Sequence, residues 1–109
     1  MTPVDDGHAL EVAFADATYQ LSAEMLRVMS PSAEVQGHSP EERVTLGGKR
    51  NVRIVGLSPI GNYAARIKFD DGHDTGLFTW DYLERLGRER DERWARYLSD
   101  LKTKGLSRG

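Results

Sequence analysis

The sequence predicts an α+β domain: a mainly antiparallel sheet of about five strands with two to three helices packed on one side. Two observations predict it. Short segments with a two-residue apolar period alternate with segments of helical period. The strand-like segments are also joined by short turns, which favours antiparallel pairing with helices segregated to one face. A chain of 109 residues fits one domain with a single core, needing neither disulfide nor metal to fold.

The elements follow in order. Residues 1–9 are polar and expected to fray. Leu10, Val12 and Phe14 alternate with Glu11 and Ala13, the mark of a half-buried strand. Ala15-Asp16-Ala17 turns the chain into a second strand that places Tyr19 and Leu21 inward. Ser22 then caps a short helix carrying Met25, Leu26 and Met29, and Pro31 stops it by lacking an amide hydrogen. Residues 30–49 show little periodicity and many turn formers, which makes them a long connection.

Val52, Ile54 and Leu57 make a third strand with a kink at Gly56, and Pro59 with Gly61-Asn62 turns the chain. Tyr63, Ala65, Ile67 and Phe69 form the inner face of a fourth strand, with Arg66 and Lys68 in solvent. Residues 76–79 make a fifth. Thr79 caps a helix bearing Tyr82, Leu83 and Leu86, which Gly87 ends as a left-handed C-cap. An amphipathic helix spans 88–104, with Trp94, Tyr97, Leu98 and Leu101 on one stripe. Its Glu89–Arg93 and Glu92–Arg96 pairs add about 0.2–0.5 kcal/mol each. Residues 105–109 are expected to form a disordered tail, and the domain itself to span 10–87.

Composition narrows the function classes. Fifteen basic and seventeen acidic side chains leave a formal charge of -2, so no global field draws in nucleic acid. Cysteine is absent, which excludes disulfides, thiolate zinc sites and cysteine nucleophiles on this chain. The start of the chain has no signal-peptide pattern and no apolar run reaches membrane-spanning length. A cytoplasmic protein without nucleic-acid or membrane partners is the expectation.

The chemistry-bearing segment is Asp70-Asp71-Gly72-His73-Asp74-Thr75-Gly76. Imidazole with carboxylates suits a transition metal, and His73, Asp71 and His38 from the long connection are the candidate ligands. Asp-Gly between alternating strands is equally a turn signal, with Gly72 supplying a positive φ. Ser30 and Ser32 lack a Gly-x-Ser-x-Gly elbow and suit backbone bonding at a helix end. Arg43, Lys49, Arg50, Arg53, Arg66 and Lys68 form a basic zone around Gly47-Gly48. No P-loop arrangement accompanies it, so it reads as a charged strand edge. The aromatic stripe on the last helix is either core or an interface.

The run 26–38, from Leu26-Arg27 through Ser30-Pro31-Ser32 to His38, resembles a known pattern together with Gly61-Asn62-Tyr63-Ala64, residues 69–76 and Trp80. It is similar to the domain found at the N-terminus of gamma-butyrobetaine dioxygenases and also as free-standing bacterial proteins of unknown function. The resemblance runs from about Leu10 to Leu86. In the fused enzymes that domain precedes an iron/2-oxoglutarate domain and holds a structural zinc through three cysteines and a histidine. The matching positions here are Ser30, Ser32 and Val35, with His73 as the histidine. The resemblance therefore implies a lost or partial metal site, with no cofactor expected and zinc or iron as the exception.

The resulting expectation is a small non-catalytic binding module, not an enzyme by itself. Its binding surface is placed at Ser30, Ser32, Glu34, His38, Asp71, His73 and Trp80, and its partner is another protein or a second copy. The same domain also occurs attached to P-loop iron–sulfur carrier ATPases. That implies an alternative: a metal-handling accessory of iron–sulfur or zinc metabolism. Metal content separates the two.

Overall fold

The structure, a computed structural model, describes residues 1–32 and 44–109. Among these residues it is α+β, with six strands in two antiparallel three-stranded sheets. The first sheet joins β1 (Thr2–Val4), β2 (Ala9–Ala13) and β3 (Thr18–Ser22). Leu10 faces Leu21 and Val12 faces Tyr19 across the β2–β3 pair. The Phe14 amide donates to Ala17 at 2.7 Å, closing the turn expected there. The second sheet joins β4 (Ile54–Ile60), β5 (Ala64–Phe69) and β6 (Leu77–Thr79), with β5 in the centre.

Three α-helices complete the described fold: α1 (Ala23–Val28), α2 (Trp80–Arg88) and α3 (Arg90–Thr103). Both expected caps form. The Ser22 hydroxyl accepts from the Met25 amide at 3.0 Å, and the Thr79 hydroxyl from the Tyr82 amide at 3.1 Å. Each satisfies an amide that the first helical turn leaves without a partner. Helix α2 packs on β3 of one sheet and β6 of the other, so it bridges two sheets instead of covering one face of a five-stranded sheet. The core is continuous across both, with Leu10, Leu21, Leu26, Ile67, Phe69, Phe78, Leu83 and Leu86 in one cluster.

Several expectations are corrected. Residues 2–4 do not fray but pair with β2, Thr2 opposite Glu11 and Val4 opposite Ala9. The 105–109 segment is docked, because Gly48 and Arg50 donate to the carbonyls of Ser107 and Arg108 at 2.9 and 2.8 Å. The kink expected at Gly56 does form, as a register shift between Ile54 and Gly56. Pro59, expected in a turn, pairs with Ala65 inside β4. It is tolerated because β4 is an edge strand, where a missing amide leaves no ladder bond unmade.

Tyr63 sits in the β4–β5 turn and is exposed, so the inward face of β5 is Ala65, Ile67 and Phe69. Gly87 does not adopt a positive φ. A Cβ there would lie 2.4 Å from the Tyr19 ring, so the glycine serves close helix–strand approach rather than chain reversal. The final helix is separated from α2 at Glu89, and it is Tyr97 and Leu101 of its stripe that are buried while Leu98 is exposed.

A serine–histidine clasp beneath an acidic turn

The Asp70–Gly72 stretch is a three-residue loop between Phe69 and His73. The Phe69 amide donates to the His73 carbonyl at 2.9 Å, and the Gly72 amide to the Phe69 carbonyl at 3.1 Å. Gly72 has φ 90°, the left-handed conformation expected of it. This tight closure directs the His73 side chain inward, where it is buried beside the Phe69 ring.

There His73 Nε2 shares a hydrogen bond of 2.9 Å with Ser30 Oγ, and Ser32 Oγ lies 3.5 Å away. Ser30 Oγ also reaches Ser32 Oγ at 3.4 Å. All three residues are buried, Ser30 completely. Helix α1 ends just before Ser30, and Pro31 then carries the chain past the hairpin. Gly76 makes the approach possible, since a Cβ on it would stand 2.4 Å from Ser30 Oγ.

The carboxylates of the turn point elsewhere. Asp71 Oδ1 accepts from the His73 amide at 3.1 Å, while its Oδ2 takes 2.7 Å bonds from Arg27 Nε of α1 and Lys49 Nζ. Burial alone would raise this carboxyl. The bonds from Lys49, the His73 amide and Arg27, with the Arg27 charge, outweigh it and hold the group down at about 2. Asp70 accepts from the Arg53 amide at 3.1 Å and returns its own amide to the Arg53 carbonyl at 2.9 Å. Asp74 is exposed. The hairpin is thus moored to α1 on one side and to the start of β4 on the other.

The sequence-derived site is therefore brought together in part. Ser30, Ser32, His73 and Asp71 converge. Glu34 and His38, with Val35 and Arg43, lie outside the described residues. Trp80 is at the other end of β5, its indole Nε1 donating to the Asn62 carbonyl at 2.9 Å. Because Ser30, Ser32 and His73 are buried, they underlie a surface and do not form one. Sequence reasoning gave neither Arg27 nor Lys49 a part in this site. They lie 44 and 22 residues from Asp71, and no local pattern pairs them with it. Lys49 and Arg53 of the supposed basic zone are engaged with the acidic turn.

A structural zinc does not fit the described donor set. Two hydroxyls occupy the positions where the resemblance places thiolates, and hydroxyls are poor zinc ligands at neutral pH. The Asp71 carboxylate is committed to two cations. Among the described residues no group of three histidine or carboxylate side chains is arranged to hold a metal ion.

Comparison with known proteins agrees with this architecture. The family described as gamma-butyrobetaine hydroxylase-like, N-terminal, matches residues 3–84. An NMR solution structure of a protein with 51% identity superposes with a TM-score of 0.81, covering 94% of this chain and 81% of that one. A second NMR structure, 40% identical, gives 0.79 over 99% of this chain and 90% of that one. A crystal structure of a protein of unknown function from Acidithiobacillus ferrooxidans, belonging to the DUF971 family, is 39% identical. It gives a TM-score of 0.62 over 79% of this chain and 86% of that one. No curated protein matches the chain.

Proposed function

The chain belongs to the gamma-butyrobetaine hydroxylase-like N-terminal family, and from that premise we propose that it is a non-catalytic binding module. In this reading it works in the cytoplasm and offers the 70–77 hairpin face to a protein partner. One observation carries it: the 2.9 Å bond between Ser30 Oγ and His73 Nε2 at a buried position. A hydroxyl with no exposure cannot reach a substrate carbonyl, which argues against the serine–histidine pair as a nucleophile and base. Its role is to tie the end of α1 to the hairpin, as a structural metal would.

What the clasp holds in place is a mixed surface. Asp74 and Thr75 are exposed, and Leu77 follows them with 38% of its surface accessible. An exposed apolar side chain beside an anionic one suits a partner with a basic and apolar contact patch. No helix of the described residues is long and apolar enough to cross a membrane.

The test is affinity capture from an extract of the source cells, comparing the parent protein with an Asp74→Lys, Leu77→Glu double variant. Both changed side chains are exposed, so folding should persist, checked by circular dichroism. Loss of a specific captured protein, or of self-association, supports the reading. Identical captured sets overturn it. Stoichiometric zinc or iron in the purified protein, lost on His73→Ala, would instead establish the metal-handling reading.

A further inference from the structure

A second built site lies away from the acidic turn, on the face shared by α1, α3 and the 105–109 segment. Glu24 of α1 is buried, its side chain only 5% exposed. Its carboxylate takes a two-pronged contact from Arg108, with Nη2 to Oε1 at 2.7 Å and Nε to Oε2 at 3.0 Å. The same guanidinium lies over the Trp94 ring, 5.1 Å from its centroid. A planar fork on a carboxylate and a face on an indole are the two contacts that distinguish a guanidinium from an ammonium.

We propose that the Glu24–Trp94 cleft is a guanidinium-recognition site that Arg108 fills in cis, and that it accepts an arginine-bearing peptide in trans when Arg108 leaves. Three observations carry this beyond an intramolecular ion pair. First, with Arg108 in place the cleft still measures about 540 Å³ and extends past it to Asp5, His8 and Gln20. That volume lies within the range of ligand pockets and leaves room for residues flanking an arginine. Second, the lining holds Asp5, Glu24 and Asp91 against Arg90 and Arg108. Arg90 is already paired with the exposed Asp91 at 3.4 Å, so departure of Arg108 strips the cation from the buried Glu24 carboxylate with Asp5 lining the same cleft, a field that favours a replacement cation. Third, the resident ligand is on a strap. Residues 105–107 are exposed, Gly105 reverses the chain at φ 68°, and the strap is attached by backbone bonds at Gly48 and Arg50. Segments with little buried surface open at low free-energy cost.

The test uses the full chain with Arg108→Ala and a capped peptide of the sequence of residues 104–109. The peptide should raise the melting temperature of the variant in a saturable way and shift the Trp94 indole resonance. Neither change should occur with the peptide carrying alanine for arginine, nor with Glu24→Gln added to Arg108→Ala. Absence of binding to Arg108→Ala, or equal binding when Glu24 is also Gln, overturns the proposal. Should Arg108→Ala not fold, Glu24→Gln alone decides the matter by amide hydrogen exchange. The Gly48 and Arg50 amides should then exchange at least roughly tenfold faster as the strap detaches, and unchanged protection overturns the proposal.

Discussion

Replacing Asp71 by Asn should remove most of the acid sensitivity of the hairpin while costing stability at neutral pH. Asn keeps the shape and can still accept the His73 amide, but it loses the charge that binds Arg27 and Lys49 at 2.7 Å each. Holding the carboxyl at about 2 instead of 3.8 corresponds to roughly 2 kcal/mol by linkage. The Asp71 side chain is 19% exposed and Lys49 23%, so solvent screening trims the expected loss to about 1–2 kcal/mol. Because the folded state lowers this pKa, the contribution is complete above pH 3.8 and disappears as the pH falls through about 2.

Urea denaturation of both proteins at pH 7, 4 and 2.5 reads this directly. At pH 7 the variant midpoint should fall by roughly 0.5–1 M with an unchanged slope, given a typical slope of about 1–3 kcal/mol/M. Toward pH 2.5 the two proteins should converge. A difference that stays constant from pH 7 to 2.5 would refute the electrostatic account, and so would a variant as stable as the parent at pH 7.

Two further substitutions probe the clasp and the close approach of elements. Ser30→Ala removes the 2.9 Å bond to the buried His73 Nε2 while the Ser32 hydroxyl stays at 3.5 Å, and should cost about 0.5–1.5 kcal/mol, measured by chemical denaturation; a neutral result removes the clasp from the stability account. Gly87→Ala ought to stabilise a helix by about 1 kcal/mol on propensity. Its new Cβ would meet the Tyr19 ring at 2.4 Å, so the net effect should be a loss of about 1–3 kcal/mol by overpacking; a higher melting temperature would refute it.

The elements that were legible from the chain are those governed by neighbours in sequence. Ser22 and Thr79 cap their helices because a hydroxyl reaches an amide three residues on, whatever the rest of the fold does. Gly72 adopts the turn conformation expected of it. The meeting of positions 30, 32 and 73 was legible only through family resemblance, because nothing in the residues alone brings Ser30 to His73 across 43 positions. Pro59 and Gly87 were misread for one reason: each has a local meaning, as turn former or helix end, that tertiary pairing overrode. The strap gave no signal at all, since Arg108 between Ser107 and Gly109 reads as a polar tail.

By itself, then, the sequence determined the α+β class, the caps, the acidic turn and the absence of thiolate chemistry. These rest on covalent type and on contacts within a few residues. Only the tertiary structure decided that the strands split into two sheets bridged by α2, and that the histidine of the turn is buried on hydroxyls. It also decided that Asp71 answers to Arg27 and Lys49, and that Glu24 answers to Arg108. The polar pairings of His73, Asp71 and Glu24 are contacts between residues 22 to 84 positions apart. Their pairing is selected by which arrangement buries the shared apolar core and leaves most buried polar groups with a partner, a condition set by the whole chain and not by any segment of it.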